Sequence, residues 1–125
     1  MKFTLESRLA TSVRRVTATE ITVGNEVWTR PVALTESGVI SDWHPAAVEN
    51  LSIDDLEPLI ATGPELIIVG TGESQVLPNR DLMFAMARRG VGLEMMDTAA
   101  AARTYNVLLS EGRSVAAVLY VAASA

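Results

Sequence analysis

The chain has 125 residues, of which 49% are apolar and 20% charged, a composition typical of a globular domain rather than of a disordered segment. It contains no cysteine and one histidine, His44, which excludes disulfides, thiolate chemistry and multi-histidine metal sites. Ten basic and fifteen acidic residues give a net charge of −5, so nucleic acid is not expected as a partner.

The segment between Arg30 and Arg80 is strongly acidic, because it holds carboxylates and no basic residue. A solvated surface that favours solubility is the preferred interpretation, and a docking surface for a basic protein is the alternative. Its eight acidic residues are Glu36, Asp42, Glu49, Asp54, Asp55, Glu57, Glu65 and Glu73.

Residues 1–17 are expected to form an irregular arm of a single domain that spans residues 1–125. Basic residues among serines and threonines faintly resemble an organelle transit peptide, but Glu6 and scattered apolar positions oppose that interpretation. The longest apolar run, Val115–Ala123, is too short to cross a bilayer. We therefore expect a cytoplasmic protein without a transmembrane segment.

The first third of the chain reads as short strands separated by turn residues. Gly24-Asn25 and Ser37-Gly38 mark turns, and Pro31 forces a break or an edge position. The pattern predicts an antiparallel meander of about three strands, drawn from the segments Thr19–Val23, Val27–Arg30, Val32–Leu34 and Val39–Ile40.

A helix is predicted after Leu51, where Ser52 and Asp55 have the spacing of a capping box. Pro58 conflicts with a start this early, because proline inside a helix removes a backbone hydrogen bond. A start at Asp54 or Asp55 removes the conflict, and Gly63-Pro64 ends the helix.

Buried strands alternate with helices in the last sixty residues, which predicts a parallel βαβαβ unit with right-handed crossovers. The fold class is therefore α/β, with the antiparallel meander attached at the amino-terminal side. The segments are a strand at Leu66–Val69, a helix at Asn79–Arg89, a strand at Val91–Met96, a helix at Asp97–Glu111 and a strand at Val115–Val121.

Ligands of parallel sheets gather where strands end and helices begin, which here selects the loops Gly70–Gln75 and Met96–Thr98. The Gly70-Thr71-Gly72 turn could hold a phosphate on its amides, but it lacks the third glycine of the dinucleotide motif. A structural tight turn is the favoured interpretation. Gly72–Val76 is an incomplete nucleophile elbow, and His44 is interpreted as a loop residue.

The last predicted helix carries the most specific motif, Asp97-Thr98 followed by four alanines and Arg103-Thr104-Tyr105-Asn106. Arg103 and Asn106 are expected on one face, where the guanidinium could bind an anionic ligand together with Tyr105. The alternative, which spacing favours, is an internal ion pair of Arg103 with Asp97 or Glu73.

The segments Glu65–Gly72, Gly92–Ala100 and Arg103–Leu108 resemble a widespread family of unknown function that includes mitochondrial complex I assembly factor 3. The resemblance implies a three-layer α/β fold with a mixed central sheet and added strands. It also implies that no catalytic activity is established for the family, and that the eukaryotic member works with partner proteins in assembling respiratory NADH dehydrogenase. This chain resembles a bacterial member of the family.

The sequence thus predicts a non-enzymatic assembly factor that binds proteins, with respiratory-complex subunits or assembly factors as candidates. No catalytic residue, metal or cofactor is predicted. The alternative is a binder of small anionic ligands, or an enzyme of unknown reaction, at the strand-end edge. Its candidate residues are Gly70, Thr71, Gly72, Asp97, Thr98, Arg103, Tyr105 and Asn106.

Overall fold

A computed structural model describes residues 9–122 and shows two β-sheets and three α-helices. A short 3-10 turn, Val48–Asn50, precedes the first helix. In chain order the elements are β1 (Val13–Val16), β2 (Ile21–Val23), β3 (Glu26–Trp28), β4 (Val32–Thr35), β5 (Gly38–Val39), α1 (Ile53–Ile60), β6 (Leu66–Gly70), α2 (Arg80–Arg89), β7 (Gly92–Met96), α3 (Thr98–Ser110) and β8 (Val115–Leu119).

The larger sheet has five strands in the order β5-β4-β8-β6-β7 and confirms the predicted mixed topology. β6 lies between β7 and β8 and is parallel to both, whereas β4 pairs antiparallel with β8 and β5. Successive residues of β6 point to opposite faces, so Ile67 and Val69 join one core cluster and Ile68 joins the other. The sheet is therefore covered on both sides.

Three layers result from this covering, which confirms the predicted fold class. On one face α1 and α2 pack against the sheet through Leu56, Leu59, Leu82 and Met86. On the other face α3 packs together with a three-stranded antiparallel sheet in the order β1-β2-β3.

The amino-terminal strands differ from the prediction in two ways. The predicted meander joins Val32–Leu34 to the earlier strands, but β4 and β5 belong to the large sheet. All four residues of β4 are buried, because a strand inside a two-faced sheet contacts a core on each side. Val13–Val16 forms β1, so the prediction of an irregular arm is wrong there. Residues 1–8 of that arm lie outside the described part.

Helix α1 begins one or two residues before the predicted start. Ser52 and Asp55 form the predicted capping box: the Ser52 amide donates to Asp55 Oδ2 at 3.1 Å, and the Asp55 amide donates to Ser52 Oγ at 3.4 Å. The helix starts at Ile53 and keeps Pro58 in its interior. The reciprocal cap and the buried Leu56 and Leu59 offset the hydrogen bond that proline cannot donate.

Candidate functional site

The structure brings the two predicted loops to one edge of the sheet. β6 and β7 end side by side, with Gly70 paired to Met96, and β8 ends next to them, with Leu119 paired to Gly70. The glycine turn and the start of α3 therefore meet as the strand order predicts. This edge, residues 70–76 and 96–98 together with Tyr120, is called the strand-end rim below.

Four hydrogen bonds hold the rim together, three between the chain segments at the carboxyl ends of β6 and β7 and one to the residue that follows β8. The Thr71 amide donates to the Met96 carbonyl at 2.8 Å, and the Thr98 amide donates to the Gly72 carbonyl at 2.9 Å. The Thr98 hydroxyl accepts from the Gly72 amide at 2.8 Å and donates to the Tyr120 carbonyl at 2.7 Å. Thr71 and Thr98 are both buried. The amides of Thr71 and Gly72, which could have bound an anion, are thus already paired.

The threonine at position 71 also organises the turn that follows. Its hydroxyl donates to the Ser74 carbonyl at 2.6 Å and accepts from the Val76 amide at 3.1 Å. Farther along the turn, Gln75 Nε2 donates to the Met95 carbonyl at 3.0 Å. The turn is therefore attached to the sheet along its whole length.

The glycine at position 70 is required by close packing at the rim. A Cβ added to Gly70 would lie 2.8 Å from Thr98 Cα and 3.0 Å from Leu119 Cδ2, distances too short for ordinary contact. Gly72 has a φ of +101°, which disfavours other residues. These two requirements support the interpretation of Gly70-Thr71-Gly72 as a structural turn.

Carboxylates dominate the space beside the rim. A shallow cleft of about 400 Å³ between the β1–β2 turn and the rim is lined by Glu73 and Asp97 and by no basic residue. Asp97 caps α3, because its Oδ1 accepts from the Ala100 amide at 2.9 Å. Two acidic side chains repel an anion that approaches this cleft.

A second groove, of about 780 Å³, lies on the other side of the rim between Pro45–Glu49 and Thr71–Ser74. Arg30 is the basic residue that lines it. The Arg30 guanidinium donates to the Trp43 carbonyl at 3.1 Å and lies 5.1 Å from the centre of the Trp28 ring. Both contacts hold this exposed guanidinium against the protein's own groups.

The other predicted site residues lie away from the rim. Arg103 is exposed and forms no ion pair with Asp97 or Glu73, so the predicted internal pair is wrong. It is not among the residues that line the clefts at the rim. Asn106 is half-buried on a different flank of α3, where its side chain bonds both the amide and the carbonyl of Val13 at 2.8 Å.

Tyr105 is fully buried and serves the core rather than a ligand pocket. Its hydroxyl donates to the Thr35 carbonyl at 3.3 Å. This bond connects α3 to the end of β4 in the large sheet. The structure thus brings Gly70, Thr71, Gly72, Asp97 and Thr98 together and separates them from Arg103, Tyr105 and Asn106. The assignment of a ligand to these eight residues stays a prediction.

Tyr120 of the rim bonds to the acidic segment, in which His44 also lies. The Tyr120 hydroxyl donates to the Ala46 carbonyl at 2.7 Å, and burial, together with the charges of Asp55 and Glu49, raises the pKa of Tyr120. His44 lies in an exposed loop, where its Nε2 is 3.2 Å from Asp42 Oδ1. Tyr120 therefore anchors the loop before α1.

An apolar surface that the sequence did not reveal lies on α2 and the turn before it. The helix pattern places Leu82, Met83 and Met86 on one inner stripe, but only Leu82 and Met86 are buried. Leu77, Met83 and Phe84 are 74%, 53% and 57% exposed. These three side chains are called the α2 surface below. Successive helical residues are rotated by about 100° around the axis, so Leu82 and Met83 cannot both face the sheet. This rotation is the sequence signal that could have shown Met83 to be exposed.

Within residues 9–122, no three histidine, aspartate or glutamate side chains are grouped so that they could hold a metal ion. The same part of the chain has no helix with the length and apolarity that membrane crossing requires.

The strand order and the covered sheet define a three-layer α/β protein with a mixed five-stranded sheet. Residues 13–120 match the model of the family described as protein of unknown function (DUF498/DUF598). The chain belongs to this family, which confirms the resemblance drawn from its motifs.

Several curated relatives carry descriptive names, including these two. A 13 kDa major membrane protein of Francisella tularensis is 33% identical over 72 residues, covering 58% of each chain. Human NADH dehydrogenase (ubiquinone) 1 alpha subcomplex assembly factor 3 is 33% identical over 95 residues, covering 71% of this chain and 49% of the human protein. The chain thus spans about half the length of the curated relatives it matches.

Solved structures show the same fold. A Xanthomonas campestris protein determined by NMR has a TM-score of 0.80 and 35% identity, covering 89% of this chain and 84% of that one. A Bordetella pertussis protein, described as a Mth938-like domain, has a TM-score of 0.75 and 28% identity over 91% of this chain and 87% of that one.

Proposed function

We propose that this chain is a non-enzymatic protein-binding factor that acts from the cytoplasm in the assembly of respiratory NADH dehydrogenase. The observation that carries the proposal is the α2 surface, where Met83 and Phe84 are more than half exposed on a regular helix. Methionine and aromatic side chains are enriched in protein interfaces, where a few such anchors provide most of the binding energy. The name of the assembly factor 3 relatives suggests that the partner is a subunit or an assembly factor of NADH dehydrogenase.

The alternative, a binder of small anionic ligands at the strand-end rim, has less support. The Thr71 and Gly72 amides are bonded within the protein. Glu73 and Asp97 add negative charge, and Arg103 lies elsewhere on α3. An anion would have to break buried hydrogen bonds before it gained any, which costs about 1–3 kcal/mol for each unsatisfied group.

The experiment is complementation of a deletion strain of the organism that encodes the chain. Wild type, Phe84→Glu and Val107→Glu are expressed at equal levels, and assembled NADH dehydrogenase is measured in native gels. We expect Phe84→Glu to lower assembly, since loss of a central aromatic anchor costs about 2 kcal/mol or more, roughly thirty-fold in affinity.

Val107→Glu is the matched control, because Val107 is 54% exposed on α3, close to the 57% of Phe84. It should leave assembly at the wild-type level. Full assembly with Phe84→Glu, or an equal loss with both variants, would contradict the proposal.

A further inference from the structure

The outer face of α2 carries an ordered row of side chains. Arg80, Phe84 and Arg88 follow one another at four-residue spacing and are all exposed. Residues at this spacing lie near one another on one side of a helix, so Phe84 lies between two arginines whose Cα atoms are about 12 Å apart along the axis. Met83 and Ala87 form the adjacent exposed row.

These rows point away from the rest of the protein. Leu82 and Met86 face the sheet. Arg89, on another side of the helix, bonds the carboxylate of Glu57 on α1 through two nitrogens. The remaining sector of α2, which holds the Arg–Phe–Arg row, therefore faces outward.

The two arginines of the row have no acidic partner among residues 9–122. In contrast, Arg89 is paired with Glu57, and Arg113 with Glu65. Arg80 and Arg88 make no such pair in the described part of the chain. Asp81 is also exposed in the first turn of α2, so the two arginines leave this face with a net positive charge. A face of this kind, with an exposed phenyl ring between the arginines, matches a surface with an apolar centre and acidic flanks.

A cleft of about 430 Å³ continues the row at its amino-terminal end. Its lining combines apolar side chains with one basic and two acidic residues: Leu51, Ile53, Leu82, Arg80, Glu49 and Asp81. Its size suits one or two apolar side chains of a partner.

We propose that the outer face of α2 binds an amphipathic helix of a partner protein, whose apolar row lies on Phe84 and Met83 and whose flanking carboxylates pair with Arg80 and Arg88. This inference rests on the proposed function and specifies the chemistry of the partner. Helices in grooves are commonly recognised through apolar anchors at positions i, i+3, i+4 and i+7.

An anionic membrane surface is the other occupant that arginine and phenylalanine could fit. The charges near α2 oppose it, since α2 itself carries Asp81 in its first turn, α1 beside it carries Asp54, and the whole chain has a net charge of −5. A protein helix can place its carboxylates opposite two arginines, whereas a lipid surface also meets the acidic residues.

The test uses two synthetic amphipathic peptides of about 18 residues, each with leucine at the helical spacing. One has glutamate beside the leucines and the other lysine. Titrations with the full chain should show the glutamate peptide binding about ten-fold more tightly than the lysine peptide. The glutamates can form ion pairs with Arg80 and Arg88, whereas the lysines are repelled by them. Arg80→Glu/Arg88→Glu should reverse this preference, and Phe84→Ala should weaken both peptides. Val107→Ala, on α3, should change neither.

Equal binding of the two peptides, binding of neither, or an unchanged preference in the double variant would overturn the inference. Binding to phosphatidylglycerol vesicles that depends on Arg80 and Arg88, with no peptide preference, would overturn it in favour of a membrane. Lost assembly with Phe84→Glu but no charge preference would leave the proposed function in place and remove only the partner chemistry. A preference for the glutamate peptide with intact assembly would support the partner chemistry and remove the proposed role in assembly.

Discussion

Replacing Thr98 with valine is expected to lower the free energy of unfolding by about 2–4 kcal/mol, because it leaves two buried polar groups without partners. The groups are the Gly72 amide and the Tyr120 carbonyl, both bonded to the Thr98 hydroxyl at 2.8 Å or less. Valine has nearly the same shape as threonine, so the loss reports on hydrogen bonding rather than on a cavity.

Urea denaturation followed by circular dichroism measures this change, with Thr104→Val as the control. Thr104 lies on the same helix, and its hydroxyl donates to the Ala100 carbonyl at 2.9 Å within α3. That bond is local, so its loss should cost less than about 1 kcal/mol. If Thr98→Val cost no more than the control, the hydroxyl would not be holding the strand-end rim together.

Gly70→Ala is expected to cost about 3 kcal/mol, since the new methyl group would overlap the backbone of α3. The nearest atom, Thr98 Cα at 2.8 Å, belongs to the backbone and cannot move aside as a flexible side chain could. The start of α3 would have to shift away from β6, which would strain the bonds between Thr98 and Gly72.

Gly92→Ala is the matched control, because Gly92 also lies in a parallel strand and has no positive φ. A Cβ there would lie 3.1 Å from Leu66 Cδ1, the end of a side chain that can rotate, and 3.3 Å from the Glu65 carbonyl oxygen, a milder backbone contact than the 2.8 Å at Gly70. Thermal denaturation should show a clearly smaller loss for Gly92→Ala. Equal losses would mean that the close approach at Gly70 has no special role.

The carboxyl-terminal half of the fold could be predicted because its signals are local. Leu66–Gly70 is a continuous apolar run, and Asp97 and Gly90 cap their helices as the sequence indicates. Two strands that are separated by one helix can be connected in only a few topologies. These rules were sufficient to place both candidate loops at one edge.

The predicted antiparallel pairing around Gly24-Asn25 is confirmed by β2 and β3, but β4 could not be placed because its partner is distant in sequence. β4 pairs with β8, more than eighty residues later, and nothing in Val32–Thr35 identifies that partner. β1 is held by Asn106 on α3, through both hydrogen bonds to Val13. A strand that is stabilised by a residue distant in sequence cannot be recognised from its own residues alone.

The positions of the candidate site residues could be predicted only in part, for a similar reason. Whether a backbone amide is free to bind a ligand depends on its partner, and the partner of Gly72 is the side chain of Thr98. Arg103 and Asn106 are three residues apart, yet only Asn106 lies against β1. Helical spacing places residues on neighbouring flanks but does not say which flank is covered.

The strand-end rim therefore serves the fold, and the α2 surface remains the candidate for function. The crevice beyond parallel strands is where α/β proteins usually bind ligands, but here Thr71 and Thr98 close it with their own hydrogen bonds. Most of the chain's most specific motif has a structural role, through the side-chain hydrogen bonds of Asp97, Thr98, Tyr105 and Asn106. The exposed side chain of Arg103 makes none within residues 9–122.

Amide hydrogen exchange at Thr71, Gly72 and Thr98, followed by NMR, is the sharpest check that this crevice is closed. If it is, these three amides exchange only through global unfolding, with an opening free energy within about 1 kcal/mol of the total stability. Fast exchange through a local opening, at less than about half of that free energy, would show that the loops separate easily. Their amides would then be available to a ligand, and the rim would have to be reconsidered as the functional site.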